Sequence, residues 1–410
     1  MKIAIIGGGA AGMMAAATIN ENNPQAEVFL IEKNDSLGKK VIISGGGRCN
    51  VTTGLQDVNT VLKKYPRGEK FLNSAMRQFS PQATYDWFEN HDVPLKCEKD
   101  LRVFPVSNNG KDVVKAFEKI FTQHKTKILF KHQVTQITKK ENSFIINFKT
   151  QKALEVDKVV FAFGGQAYRQ TGSTGDGYSL AESLGHHTTE LAPSLSSLTT
   201  REKWPTLISG LSFVKATFKV PATKATFTGP FVFTHWGISG PAVFALSALI
   251  AFEKFDPNKP LKISLDLLVD LKSEEILAEL KKFISINPNK LFKHTLQQFV
   301  PLSLASIAVK EINLSEDKKN NSVSKKDLNQ AATWLKNIPL SIIDRKAGDE
   351  FVTAGGIDLN EVNPSTMESK LCPGLYFAGE ILNIDGFTGG FNLQASWATG
   401  HLAGQDIAKK

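Results

Sequence analysis

Lys2-Ile3-Ala4-Ile5-Ile6-Gly7-Gly8-Gly9-Ala10-Ala11-Gly12 is the stretch on which the reading of this chain turns. Its first residues have the apolar continuity of a strand buried on both faces. They break directly into glycine, and Met13 to Asn20 continues with alanine-rich helix formers. In the spacing Gly7-x-Gly9-x-x-Gly12 no glycine is idle. Gly7 turns the chain sharply, Gly9 bares the backbone where a diphosphate must approach, and Gly12 lets helix and strand pack closely. The helix beginning near Ala10 and Ala11 then offers unbonded N–H groups and a positive dipole end to the phosphates. A second apolar run, Glu27 to Ile31, ends in Glu32, twenty residues after Gly12, with Lys33 behind it. A carboxylate there accepts hydrogen bonds from ribose hydroxyls and disfavours a 2′-phosphate. Strand, turn, helix, strand and acid in register predict a dinucleotide site, without choosing between NAD and FAD.

The remaining composition narrows the class. At 410 residues the chain exceeds what one core usually serves, so two or three domains are expected. No run of eighteen apolar residues occurs, which excludes a helical membrane span, and the early core strand leaves no room for a signal peptide. Cys49, Cys97 and Cys372 lack the paired spacing of a redox dithiol, a zinc site or a disulfide framework. A cytoplasmic protein without a metal centre is expected, and a flavin-disulfide mechanism is disfavoured. The net charge is +9, and residues 191–340 alone hold 19 Lys+Arg against 12 Asp+Glu. The lysines are scattered without aromatic interleaving, so solvated helix faces account for them better than a nucleic-acid partner.

Other glycine-rich stretches point back to the first. Ser44-Gly45-Gly46-Gly47-Arg48-Cys49-Asn50 is a poor helix or strand but a good close-approach loop, in which Arg48, together with Lys39 upstream, can meet phosphate or ring carbonyls. Lys127 to Phe130, His132 to Thr138 and Ser143 to Phe148 suggest a small antiparallel sheet, with Val134 placed against an adenine. Lys158 to Phe163 is another buried strand running into Gly164-Gly165. Gly374 to Ala378 repeats the pattern before Gly379-Glu380, and Asp385-Gly386-Phe387-Thr388-Gly389-Gly390-Phe391-Asn392 opens a last amphipathic helix from Leu393 to Ile407. The cofactor domain is therefore discontinuous. Its first part spans 1–190 and its second 339–410, with a β unit at 191–270 and a helical subdomain at 271–338 inserted between. Within the insertion, Phe213 to Val220, Lys224 to Phe227 and Leu261 to Leu265 read as strands with a turn at Thr228 to Pro230. Ser273 and Ser324 read as helix caps.

The N-terminal GGGAAG, the loop ISGGGRCN, and the segments RVFPVS, TGSTGDGY, FTHWGISGP, VTAGGI, NPSTMESK, GLYFAGE and DGFTGGFN together resemble the BaiN-type bacterial flavoproteins, a family of FAD-dependent oxidoreductases that includes aminoacetone-oxidase-like enzymes. The resemblance covers nearly the whole chain. It implies an α/β, Rossmann-like two-dinucleotide-binding-domain flavoprotein fold with an inserted β-barrel-like unit and a small helical subdomain. It also implies FAD contacts at Gly7, Gly9, Gly12, Glu32, Lys39, Gly46, Arg48, Gly164, Gly379, Gly390 and Asn392. Phe163, Leu101 and Gln166 to Gln170 depart from the family's pattern, the last beside the expected substrate.

Flavin chemistry asks the protein mainly for placement and electrostatics. The Thr388 to Asn392 turn can aim backbone N–H groups and a helix dipole at the negative charge that accompanies ring reduction. His235 and Tyr168 are the candidates for acting on substrate, a small amine or carbonyl-type metabolite. The chain shows no second dinucleotide motif, which leans toward oxygen as acceptor and leaves NAD(P)H as a transient reductant. The rivals are a flavoprotein of tRNA modification and a non-enzymatic FAD-binding redox sensor. The sequence says nothing about oligomeric state.

Overall fold

The computed structural model describes residues 1–346 and 348–410. They form two compact units, Met1–Ser194 with Glu350–Lys410, and Leu195–Asp349.

The first unit is built on a five-stranded parallel sheet. Its strands are β1 (Lys2–Ile6), β2 (Glu27–Ile31), β3 (Lys127–Leu129), β4 (Lys158–Phe161) and β5 (Leu375–Phe377), in the order β5-β4-β1-β2-β3. Ile5 lies between Val160 and Leu30, so the most apolar strand is central, covered on both faces as an all-parallel sheet requires. Helix α1 (Ala10–Asn22) packs along α2 (Phe391–Lys409) through small residues. A Cβ on Gly400 would lie 2.3 Å from the Ala11 carbonyl oxygen, and one on Gly404 would lie 2.8 Å from that of Ala15. The two ends of the chain thus share one core.

One expectation changes here. Lys127–Leu129 joins the parallel sheet beside β2, with Leu30 opposite Ile128. The antiparallel sheet is made instead by Val134–Lys139, Phe144–Phe148 and Leu154–Val156. A run as short as Lys127 to Phe130 carries too little alternation to reveal which sheet it joins.

The described residues of the second unit form a closed antiparallel barrel and six α-helices. Around the barrel run Leu198–Thr200, Gly237–Ser239, Ala225–Phe233, Ser212–Val220, Leu261–Asp266 and Ile338–Arg345, the last pairing back to the first. Phe218, Phe231, Phe233, Leu265 and Ile342 fill its interior. The turn expected at Thr228 to Pro230 is absent. Strand Ala225–Phe233 runs straight through it, and the register slips on the facing strand between Phe213 and Ala216, the kind of irregularity that accommodates a proline. Ile338–Arg345 closes the barrel, so the insertion runs to Asp349 rather than 338 and takes the helices with it. The helices are Trp204–Leu207, Pro241–Leu249, Ser273–Ile286, Phe292–Leu296, Leu302–Glu311 and Lys325–Lys336. Ser324 caps the last: its hydroxyl accepts from the Asp327 N–H at 3.2 Å, and Asp327 accepts from the Ser324 N–H at 2.9 Å. Ser273 is already helical; Glu275 reaches back to the Lys272 N–H at 2.6 Å.

Candidate cofactor site

The glycine loop between β1 and α1 has the expected geometry. Gly7 has φ +109°, and a Cβ there would lie 2.2 Å from the Ala162 carbonyl oxygen. One on Gly12 would lie 1.9 Å from the Gly7 oxygen, whereas one on Gly9 would meet nothing within 4 Å. Two of the glycines are thus demanded by the fold itself. The third opens onto space, where a diphosphate could approach the backbone. No side chain caps α1, whose first internal bond is Met13 N–H to Gly9 O at 2.9 Å, so the N–H groups of Ala10, Ala11 and Gly12 face outward. Glu32 is buried at the end of β2. It accepts from the Gly8 N–H and the Asn34 N–H, each at 2.8 Å, leaving two carboxylate lone-pair positions for ribose hydroxyls. Lys33 turns to Thr174 at 2.5 Å and Asp176 at 2.8 Å, tying the 171–177 loop to this end of the sheet. Val134 is buried at the start of its strand.

A second cluster gathers beyond β4 and β5. Gly164 has φ +75°, and a Cβ on Gly165 would lie 2.5 Å from the Thr353 hydroxyl, which accepts from the Gln166 N–H at 2.7 Å. Glu380, one residue after Gly379, accepts from the Thr353 N–H at 2.9 Å and from the Lys40 ammonium at 2.6 Å. Lys40 also stands 5.7 Å from the centre of the Tyr168 ring, whose backbone is left-handed at φ +59°. The sequence points to Lys39, but Lys39 pairs with Asp35 at the surface at 2.8 Å. Nothing in two adjacent lysines tells which one turns inward.

The 44–50 loop divides its labour. Ser44 bonds back to the Val41 carbonyl at 2.7 Å, and Gly45 is pressed against Asn50 and Phe104. Gly46 and Gly47, at φ +71° and +86°, open onto space within 4 Å. Arg48 is committed to Glu98 at 2.8 Å and lies 3.6 Å over the Phe104 ring. Cys49 is fully buried, and burial pushes its thiol up to about 12, which removes it as a nucleophile. The Asn50 Oδ1 is enclosed with no partner among the described residues.

The start of α2 completes the site. Gly389 and Gly390 have φ +128° and +91°, and a Cβ on Gly390 would lie 2.2 Å from the Thr52 carbonyl oxygen. Again no side chain caps the helix, so the N–H groups of Phe391, Asn392 and Leu393 face outward. The Asn392 side chain braces the turn, accepting from the Gly386 N–H and donating to the Gly386 carbonyl, both at 2.8 Å. Beneath it, fully buried Asp385 receives a two-pronged ion pair from Arg67 and the Ser194 hydroxyl at 2.8 Å. Along the sequence nothing singles out Arg67, because it lies 318 residues from the carboxylate it serves.

The contacts Gly400 to Ala11 and Gly404 to Ala15 show that α1 and α2 run parallel. Residue 399 is then level with Ala10, eight positions after Phe391, so α2 begins about 12 Å ahead of α1 along their axes. Two uncapped positive poles therefore face the same way, one set forward of the other. The residues fit FAD: the first pole would hold its diphosphate, and the second would face the carbonyl edge of its ring. His235 belongs to the second unit. It is exposed on the turn between two barrel strands, with Trp236 edge-on at 6.5 Å. Among the described residues no group of three or more His, Cys, Asp or Glu could hold a metal, and no helix is long and apolar enough to cross a membrane.

The family model for the HI0933-like protein Rossmann domain matches residues 1–406. The chain belongs to the HI0933-like family. This HI0933-like protein is 31% identical to a 3-dehydro-bile acid Δ(4,6)-reductase of Clostridium scindens, covering 100% of this chain and 99% of that one. It is 28% identical to a ribosomal RNA dihydrouridine synthase of Escherichia coli, over 98% and 97% of the two chains. Its fold resembles that of a 3-ketosteroid-Δ4-(5α)-dehydrogenase from Rhodococcus jostii RHA1, with a TM-score of 0.52 at 14% identity over 100% of this chain and 96% of that one. The HI0933-like protein is an FAD-dependent oxidoreductase.

Proposed function

We propose that this protein is an FAD-dependent reductase that saturates a carbon–carbon double bond conjugated to a carbonyl, and that the bond is carried by the uracil ring of a folded RNA. Dihydrouridine is uridine reduced across its 5,6 bond, so the names of both relatives describe the loss of a carbon–carbon double bond. The observation that carries the RNA reading is where the charge lies. Leu195–Asp349 holds 21 Lys+Arg and 14 Asp+Glu, a surplus of seven, while the rest of the chain holds 28 and 26, a surplus of two.

FAD held here and reduced would supply the hydride that the carbon β to the carbonyl accepts. The chain's own residues supply the rest. The outward N–H groups of Phe391 to Leu393, with the α2 dipole behind them, would stabilise negative charge on the reduced ring. Tyr168 delivers a proton from its hydroxyl to the α carbon. The Lys40 ammonium beside its ring, held by Glu380, steadies the phenolate that remains until water reprotonates it. Substrate gains one hydride and one proton, and a nicotinamide dinucleotide would supply the two electrons. The missing second nucleotide motif favours oxygen as the electron acceptor; the reductase name of the Clostridium relative and the dihydrouridine product of the Escherichia relative support a reductant instead.

The test is direct. Enzyme reduced anaerobically and mixed with deproteinised ribosomal RNA leaves uridines heavier by the mass of two hydrogens in nucleoside mass spectrometry. Unaltered uridine, together with rapid flavin reoxidation by a conjugated steroid ketone, would replace the RNA reading with the small-molecule one that the Clostridium relative favours.

A further inference from the structure

In the helical part of Leu195–Asp349, two loops some thirty residues apart are tied into one surface. The Phe292 N–H donates to the Lys318 carbonyl at 2.8 Å. The Asn320 and Asn321 N–H groups donate to the Lys290 and Pro288 carbonyls at 2.9 Å, and Leu291 bridges Lys319. The hub is Asn320, 1% exposed, whose amide donates to the Asn287 carbonyl at 2.7 Å and accepts from the Thr295 hydroxyl at 2.8 Å. Together these hydrogen bonds fix two segments that would otherwise be mobile loops.

This clasp and the helix ends beside it carry Lys290, Lys293, Lys319, Lys325 and Lys326, none of which has an acidic partner among the described residues. The neighbouring acids are already engaged. Asp327 caps its helix and pairs with Lys318 at 2.9 Å, and Glu316 pairs with Lys310. Asp317 is the one exposed acid on the two loops. Between the lysines stand Asn289, Asn321, Ser322 and Ser324, short hydrogen-bonding groups, and no exposed aromatic side chain. Fixed cations with amides and hydroxyls, and no stacking platform, suit the phosphates and sugars of a folded RNA helix. Extended single strands are held by stacking on aromatic rings.

We infer that the clasp formed by residues 287–293 and 318–326 docks the sugar-phosphate backbone of a folded RNA. This rests on the RNA reading of the function. Lys290→Gln, Lys319→Gln and Lys326→Gln together remove three of the cations, and Lys70→Gln, Lys125→Gln and Lys152→Gln remove three from the other unit as a control. Binding of the full-length holoenzyme to deproteinised ribosomal RNA is measured across a salt series. The clasp variant is expected to bind roughly 100-fold more weakly at 0.1 M salt, with the slope of log K against log salt shallower by about 3, while the control stays within about threefold. Retained flavin and an unchanged rate of flavin reduction by NAD(P)H establish that the variant is folded, and Lys319→Glu alone provides a second, less disruptive reading. If wild type binds and reduces RNA while the clasp variant matches the control, the clasp is refuted and the function stands. If wild type neither binds nor reduces RNA, both fall.

Discussion

Replacing Arg67 by Met would strand the Asp385 carboxylate beneath the turn that opens α2. Asp385 is 0% exposed, and burial pushes its carboxyl above the usual range against the opposing pull of Arg67 and Ser194. Removing one partner of a buried pair typically costs about 3–5 kcal/mol, because the remaining charge is left unsolvated. With a urea slope of about 2–3 kcal/mol/M, the midpoint of flavin release would fall by about 1–2.5 M. Following flavin release confines the measurement to the unit that holds the cofactor. The pH dependence has a definite sign. A carboxyl whose folded pKa is raised binds its proton more tightly in the fold, so the stability it contributes is present at low pH and lost as pH rises through the folded value. Arg67→Met raises that value further, so the variant should recover stability on going from pH 8 to pH 5. Adding Asp385→Asn to Arg67→Met should restore much of the loss, since no charge then remains to be stranded. A loss below about 1 kcal/mol, or strictly additive single and double variants, would show that the pair does not hold the turn.

Gly9→Ala and Gly12→Ala separate ligand from fold. The first adds a methyl where nothing lies within 4 Å and should give a stable protein without its yellow colour, whereas the second collides with the Gly7 carbonyl at 1.9 Å and should lower thermal stability as well. His401 sits against Phe79 at 4.2 Å and bonds Thr18 at 3.1 Å, and burial lowers its pKa to about 4. The fold then holds it neutral, so stability on the order of 3 kcal/mol is lost as pH falls from 6.5 through 4, and His401→Gln should flatten that limb of a stability profile. Tyr168→Phe should leave flavin reduction by NAD(P)H intact and slow substrate reduction about 100-fold or more. His235→Gln should leave both within twofold; the opposite pattern in stopped-flow traces would move the proton donor to His235.

What the sequence made legible was whatever depends on neighbours along the chain. The β1 glycine loop, Glu32 and the turn before α2 are each contained in a dozen residues, and their backbone demands leave only glycine or an acid as answers. Lys40 and Lys39 are indistinguishable by composition, because the choice between them is made by Glu380, which the sheet brings in from 340 residues away. The pairing of Asp385 with Arg67 was hidden for the same reason. So was the barrel's last strand: Ile338–Arg345 is recognisably a strand, yet only its two partners make it part of the insertion.

The lysines show the same limit from the side of function. Read in order, Lys290 and Lys319 are two of many scattered charges, and a solvated surface explains them well. Asn320 changes their meaning, because a buried amide on one segment that bonds Asn287 and Thr295 beside the other turns two independent charges into one rigid array. Rigidity matters energetically: a mobile lysine loses side-chain and loop entropy when it grips a phosphate, whereas a preorganised one has already lost the loop's share during folding. Asn320→Ala should therefore weaken RNA binding without removing a single positive charge, and with an unchanged salt slope. A variant that instead loses slope would show that the amide holds the lysines' number at the interface, not their order.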